Sequence, residues 1–461
     1  MTEAEEATRE GDGIVVVNPE LSAGAVLQGG ARRKRSNNVQ YATLPNPANI
    51  LGDSADPGPS RLCMRILSAF SVALALDVVI MLMYIYQKDP PIFYGDDAAT
   101  GAATTYVVDA TRESDNHRIQ WLPLPEESAV LTKIAFGSCS SQHMPQPFWD
   151  TLADYEPSIT LLMGDQVYGD CQEASCEILR QAYTDFGNIP SVQGAASNLP
   201  VMATLDDHDY GENDCHASNP YKDIARQLFA DFFQLNNLPD DGVYHSGVWG
   251  PPGQRLRIIL LDTRYSRSPF VKTGIHLNPY KPDNSTGTRM LSEQQWQWLQ
   301  QELEDEPADL NLIVSSIQVL NDVSGEECWR HLPHERERLY NLIRDKPIVL
   351  LSGDRHVGGF YESADGRIKE VTASAWTHSV PLSVMEGCDS AETCDEPDPR
   401  RLGQFVRENN FGTIEIDWKK KQYSLALRRA ESSYGVTYSP DHHDKSSDAG
   451  EILDSRGYSF A

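Results

Sequence analysis

Short, unbroken apolar runs recur between residues 131 and 430: LTKIAF at 131–136, ITLLM at 159–163, PVMATL at 200–205, QRLRIILL at 254–261, NLIV at 311–314 and PIVLL at 347–351. Runs this short, closed by glycine or by charged residues, read as buried parallel strands ending in turns. Between them lie stretches with helical spacing. A loop after Gly137 runs into a helix at FWDTLADY. CEILRQAYTDF and DIARQLFADFFQL read as further helices, and Ser292–Asp305 opens with Ser292 and Gln295 in capping-box positions. RIKEVTAS, GTIEIDW and YSLALRR close the series as strands. Strands alternating with helices, with no internal repeat, argue for an α/β domain.

The rest of the chain has a different texture. Residues 1–60 carry no periodic apolar face and read as a disordered cytosolic tail with one basic cluster, Arg32, Arg33, Lys34 and Arg35. Ile66–Tyr86 is a run of twenty-one residues with a single charge, Asp77, long enough to cross a bilayer. A carboxylate at a helix centre costs roughly 2.5–3.5 kcal/mol, so Asp77 is either tolerated or paired with another helix. Arg61 and Arg65 precede the run, whereas Asp89, Asp96 and Asp97 follow it. The positive-inside rule then leaves the N-terminus in the cytosol and the remainder in the lumen or outside. A secretory signal starting at Met64 is the competing reading, and the length of the run favours an uncleaved anchor. Residues 88–128 read as a stalk or lead-in. Residues 431–461 read as a polar, disordered tail in which His442 and His443 are solvated.

Net charge and cysteines narrow the function. A formal charge of -28 over 461 residues argues against nucleic acid as a partner and for a cation-attracting surface. Seven cysteines follow the apolar run: Cys139, Cys171, Cys176, Cys215, Cys328, Cys388 and Cys394. Six can pair in an oxidising compartment. Closeness suggests Cys171–Cys176 and Cys388–Cys394, and elimination suggests Cys215–Cys328. Cys139 is left over. Asn284 begins an Asn-Ser-Thr sequon, a glycosylation acceptor in a eukaryotic host.

Four strand ends carry unusual chemistry. GSC places Cys139 after the first strand, and GDQVY places Asp165 and Tyr168 after the second. DDHDYGEN places Asp206, Asp207, His208, Asp209 and Asn213 after the third, and GDRH places Asp354 and His356 after a later one. Each alone reads as a cap or turn. Together, at the carboxyl ends of buried strands, they read as one site. Crowded carboxylates need cations, and adding imidazole, phenol and thiol gives a ligand set for two or more metals. Paired metals suit phosphoryl transfer to water. A thiolate beside a phenolate points to a softer or more charged ion than calcium or magnesium, ferric iron above all.

The stretches IAFGSC, MGDQVYGD, LDDHDYGEND, LLDTRY, VSSIQVL and LSGDRH, with VTASAWTHS behind them, resemble the PhoD-like alkaline phosphatase branch of the metallophosphoesterase superfamily over residues 130–430. The resemblance implies a four-layer α/β/β/α sandwich, here preceded by one transmembrane helix, and hydrolysis of phosphate esters with bound iron and calcium. It implies that Cys139, Asp165 and Tyr168 bind the ferric ion, with Asp165 bridging. Asp207 and Asp206 match the next ligand position, and Asp354 and His356 the last. His208 matches a general acid or phosphate contact, oriented by Asp209. Asn213 is a weaker candidate, as ligand or substrate contact. Arg264 either grips phosphate bidentately or forms a structural ion pair. Gln318 stands where relatives carry a metal-binding histidine, and His378 reads as a core or surface residue. The bacterial enzymes have a β-sandwich ahead of the catalytic domain, for which residues 88–130 are too few, so their substrate preference does not transfer. The expectation is a membrane-anchored, outward-facing phosphomonoesterase. A phosphodiesterase on the same metals and a non-catalytic ectodomain that kept the fold are the rivals.

Overall fold

The computed structural model of the protein describes residues 119–275, 278–305, 307–381, 395–431 and 448–460. The elements run β1 (Lys133–Gly137), α1 (Phe148–Tyr155), β2 (Ile159–Met163), α2 (Glu177–Gly187), α3 (Pro190–Ala196), β3 (Val201–Thr204), α4 (Asp207–Tyr210) and α5 (Lys222–Phe233). Then come β4 (His245–Trp249), β5 (Leu256–Leu260), β6 (Val271–Ile275), β7 (Asn278–Lys281), α6 (Glu293–Asp305), β8 (Leu310–Val314), α7 (Pro333–Ile343) and β9 (Ile348–Ser352). The last are β10 (Gly358–Glu362), β11 (Lys369–Ala373), β12 (Asn410–Asp417), β13 (Gln422–Arg429) and β14 (Ile452–Ser459).

Two six-stranded sheets result, ordered β14-β13-β12-β1-β2-β3 and β10-β11-β9-β8-β5-β4, with β6 and β7 pairing as a separate hairpin. β1, β2 and β3 are mutually parallel, and so are β5, β8, β9 and β11. Side chains alternate between faces along a strand, and this alternation sorts the core. Ile134, Phe136, Leu161 and Met163 of the first sheet pack with Ile258, Leu260, Leu312 and Leu351 of the second. Ala135, Leu162 and Ala203 face the other way, onto Phe148, Leu179, Phe186 and Phe229 of the helices. Ile259, Ile313 and Leu350 meet Trp296, Leu299, Leu339 and Ile343 of α6 and α7. Helices therefore cover both outer faces, and each fully buried aliphatic side chain contributes about 1.5–3 kcal/mol. Ser292 caps α6 by accepting the Gln295 N–H at 2.9 Å.

Besides α3, α4, α7, β4, β6, β7 and β10, which the sequence reading does not pick out, two segments read as unstructured depart from it. The end of the expected stalk belongs to the domain: Trp121 stacks on Phe233 with ring centroids 5.9 Å apart, and Trp249 Nε1 donates to the Pro125 carbonyl at 3.0 Å. The expected unstructured tail contains β14, which extends the first sheet antiparallel to β13. Its pattern, ILDSRGYS, has too few apolar residues to announce a strand. Its hold comes from cross-strand contacts instead, Tyr458 on Tyr423 and the following Phe460 on Trp418. Residues 1–60, the Ile66–Tyr86 run and the Cys388–Cys394 pair lie outside the described residues, among which no helix is long and apolar enough to cross a membrane.

Candidate metal centre

The carboxyl ends of the parallel strands converge, and their turns are unusually tight. Cys139, Asp165, Asp170, Asp354 and His356 all adopt positive φ, between 38° and 70°. Non-glycine residues enter this region rarely, and they cluster where function holds them there. Gly164, at φ 109°, brings the end of β2 onto the next loop, because a Cβ there would lie 2.4 Å from the Asp206 Cβ.

The thiol and phenol follow from these turns. Cys139 is fully buried. Its sulfur lies 3.7 Å from Asp165 Oδ2, 3.3 Å from Ser138 Oγ and 3.2 Å from Ser374 Oγ. Burial, with the Asp165 charge beside it, pushes the thiol well up. The Tyr168 hydroxyl lies 3.2 Å from both His356 Nε2 and His378 Nε2. Asp165 Oδ1 accepts the His208 N–H at 3.3 Å. Burial and then repulsion from Asp207 push the Asp165 carboxyl well up, and Asp354 is raised by burial and then Asp206.

Among the described residues, four overlapping groups have ligand atoms within 4.8 Å of one another: Cys139, Asp165 and His356; Asp165, Asp207 and His208; Asp206, Asp207 and Asp354; Asp207, Asp214 and Glu327. Asp206 Oδ2 and Asp207 Oδ1 are buried without a hydrogen-bond partner. Buried carboxylates that repel one another and keep unsatisfied oxygens fit bound cations. Sulfur, imidazole and phenol gather at one end and carboxylate oxygens at the other, so the donor set fits a softer or more charged ion beside a hard one.

His208 is placed by a different carboxylate from the one expected. Its Nδ1 lies 2.7 Å from Asp170 Oδ1, and its ring packs against Tyr168 at 4.4 Å. Burial opposes charging this imidazole, but Asp207, Asp170 and Asp165 outweigh it and raise its pKa. Asp209 faces away. It accepts the Gln166, Val167 and Asp206 backbone N–H groups at 3.1, 3.3 and 3.1 Å and completes the capping box of α4. The expected orienting role of Asp209 is therefore corrected to tying two strand-end loops together. Local backbone donors outcompete the imidazole for its oxygens.

Arg264 is also corrected. It is fully buried and its guanidinium is taken by Asp206 and Glu327, with Asp207 at 3.7 Å. The ion-pair alternative holds for Nε and Nη1, while Nη2 is buried near Asp207 without a hydrogen bond. Asp207 shows the consequence: burial raises its pKa, yet Arg264 and then His208 bring it below the usual carboxylate range. Asn213 is exposed and lines a cleft of about 780 Å³ that also borders Asp170, Asp214, His216 and Tyr280. Gln318 is spent on Thr372, Asn321 and Arg355. Cys171 and Cys176 form a disulfide, but Cys215 and Cys328 are free. The Cys215 sulfur packs against Gly211, whereas the Cys328 sulfur turns to the Ser324 carbonyl, so elimination mispairs them.

Four contributors escaped the sequence reading as site residues. Asp170 closes the quoted MGDQVYGD motif, so its signal was present. His378, read as a bystander, reaches Tyr168 from the end of β11. Ser374, one strand-end residue among many, touches the Cys139 sulfur. Glu327 sits in a loop with no strand before it and gives no local signal, although it pairs with both Arg264 and Arg267.

Comparison with known proteins finds relatives of this chain. Alkaline phosphatase D of Bacillus subtilis (strain 168) is 23% identical over 280 residues, covering 51% of this chain and 47% of that protein. The chain thus spans about half the length of the curated relative it matches. A solved structure described as the structure of PhoD matches with a TM-score of 0.53 at 18% identity, covering 67% of each chain, which shows a shared fold. The model of the family described as PhoD-like phosphatase matches residues 134–427, well over half the sequence, and the chain belongs to the PhoD-like phosphatase family.

Proposed function

We propose that this protein is a metal-dependent hydrolase of phosphate esters, with phosphomonoesters as the first substrate class. One observation carries the reading: Asp165 belongs to the thiol-containing group and, through Asp207, adjoins the carboxylate group of Asp206, Asp207 and Asp354. A carboxylate so placed would serve two cations at once. Cys139, Tyr168 and His356 would hold iron with Asp165. Asp206, Asp207 and Asp354 would hold calcium with it, as oxygen ligands suit that ion. When bound, such a pair supplies an activated water and neutralises phosphoryl oxygens.

The chain's own residues do the rest. Asp170 holds His208 Nδ1, so the imidazole is oriented for Nε2 to offer a proton to the leaving oxygen. Burial of the Cys139 and Asp165 side chains keeps bulk solvent off these two ligands. The cleft beside Asp170 takes the organic part of the ester. The test is phosphate release by the purified chain on a panel of monoesters and diesters, with metal analysis. Hydrolysis of monoesters that is lost on chelation and restored by iron with calcium supports the reading, and no turnover with any metal sinks it.

The same proposal includes the membrane. The Ile66–Tyr86 run, its basic approach and the Cys171–Cys176 disulfide support a single-pass anchor with the hydrolase in the lumen or outside. Protease added to sealed microsomes should spare the domain, and digestion there rejects the orientation.

A further inference from the structure

One hydroxyl stands between two of the candidate ligands. Ser374 follows β11, is fully buried, and accepts the His356 backbone N–H at 3.0 Å. Its oxygen also lies 3.2 Å from the Cys139 sulfur. A second hydroxyl, Ser138, lies 3.3 Å from the same sulfur. Its place depends on Gly353, where a Cβ would come within 2.4 Å of Ser138 Oγ. A serine has one proton to give. With a lone pair of Ser374 taken by the His356 N–H, its proton is free for the sulfur. A sulfur bound to a cation is a thiolate and carries no proton, so both hydroxyls must then donate to it. Hydrogen bonds from outer-shell groups orient metal ligands, and those reaching sulfur tune the metal's electronics.

We propose that Ser374 is a positioning residue for the thiolate centre. Together with Ser138 it donates O–H to the metal-bound Cys139 sulfur, and it ties that sulfur to the loop carrying His356. It thereby sets the energy of sulfur-to-metal charge transfer and the retention of the metal. This rests on the reading that Cys139 ligates a metal. A merely structural serine would satisfy the His356 N–H and leave the sulfur's electronics unchanged.

Cobalt(II) added to the metal-stripped full chain is the probe, because sulfur ligation gives it a charge-transfer band whatever the native metal is. Ser374→Ala should keep the fold and the band but move the band to lower energy, since a sulfur without its donor gives up charge more easily. The variant should also hold cobalt less tightly, by roughly 10–100-fold, the usual cost of losing an outer-shell partner. Ser374→Thr keeps the hydroxyl and should restore the band. Should Ser374→Ala fail to fold, Ser138→Ala must show the same direction of shift. Absence of a sulfur band in the wild type overturns the Cys139 ligand reading and this inference with it. A band at the wild-type energy with wild-type affinity in Ser374→Ala overturns the role of Ser374 alone, as does an unshifted band in Ser138→Ala where Ser374→Ala does not fold.

Discussion

Asp170 Oδ1 lies 2.7 Å from His208 Nδ1, while the nearer carboxylate in sequence, Asp209, spends its oxygens on three backbone amides. Under the proposed function, Asp170 acts on turnover through His208, whereas Asp209 acts on folding. Asp170→Asn should lower kcat and leave the melting temperature close to wild type. His208→Ala should lower kcat more deeply, by roughly 10²–10⁴-fold, the range for a lost general acid.

Asp209→Ala should behave in the opposite way. It strands buried N–H donors at Gln166, Val167 and Asp206, each costing about 1–3 kcal/mol when left unsatisfied. Denaturant titration should show a large loss of stability. A stable variant with a selective loss of kcat would return Asp209 to the His208 side of the site.

Arg264→Ala should destabilise by about 3–5 kcal/mol, because removing it leaves Asp206 buried without its cationic partner and Glu327 with Arg267 alone. Urea midpoints check this. Wild-type stability combined with a raised KM for phosphate esters would mean that the guanidinium grips substrate after all.

The strands β1, β2, β3, β5, β8, β9, β11, β12 and β13 and the helices α1, α2, α5 and α6 were legible because their apolar periods are clean, whereas α3, α4, α7, β4, β6, β7 and β10 were not read. ITLLM and PIVLL are buried on both faces, as parallel strands covered on two sides must be. Cys139, Asp165, Tyr168, Asp207, Asp354 and His356 were legible because each follows such a run. What was not legible depends on distance in sequence. Asp170 and Asp209 are acids in two of the quoted motifs, and which one meets His208 is decided by the turn at Asp170, with φ 38°, and by the backbone amides that take Asp209. Arg264 reads equally as a phosphate grip or an ion pair until Glu327, 63 residues later, is brought against it. β14 has too weak a pattern to separate from a tail, and its edge position asks for little burial.

Acid should destabilise the domain through a histidine outside the centre. His331 is fully buried, with Nε2 2.7 Å from the Glu326 carbonyl. Burial, with Arg330 nearby, lowers its pKa from 6.5 to about 4. The folded value lies below the unfolded one, so the unfolded chain takes the proton first as pH falls. Its contribution is complete above pH 6.5 and is lost as pH drops toward about 4. His331→Gln should flatten the fall in urea midpoint across that window, and an unchanged slope would assign the acid sensitivity to other groups.

The central claim, that Asp165 bridges two cations for ester hydrolysis, is tested most directly by Asp165→Asn. Removing the shared charge leaves two cations facing each other without their common ligand. Metal content and phosphomonoester turnover are measured together on the variant and on the metal-loaded wild type. The account predicts a folded variant with reduced metal content and no detectable turnover. A variant that keeps wild-type metal content and full activity would contradict it.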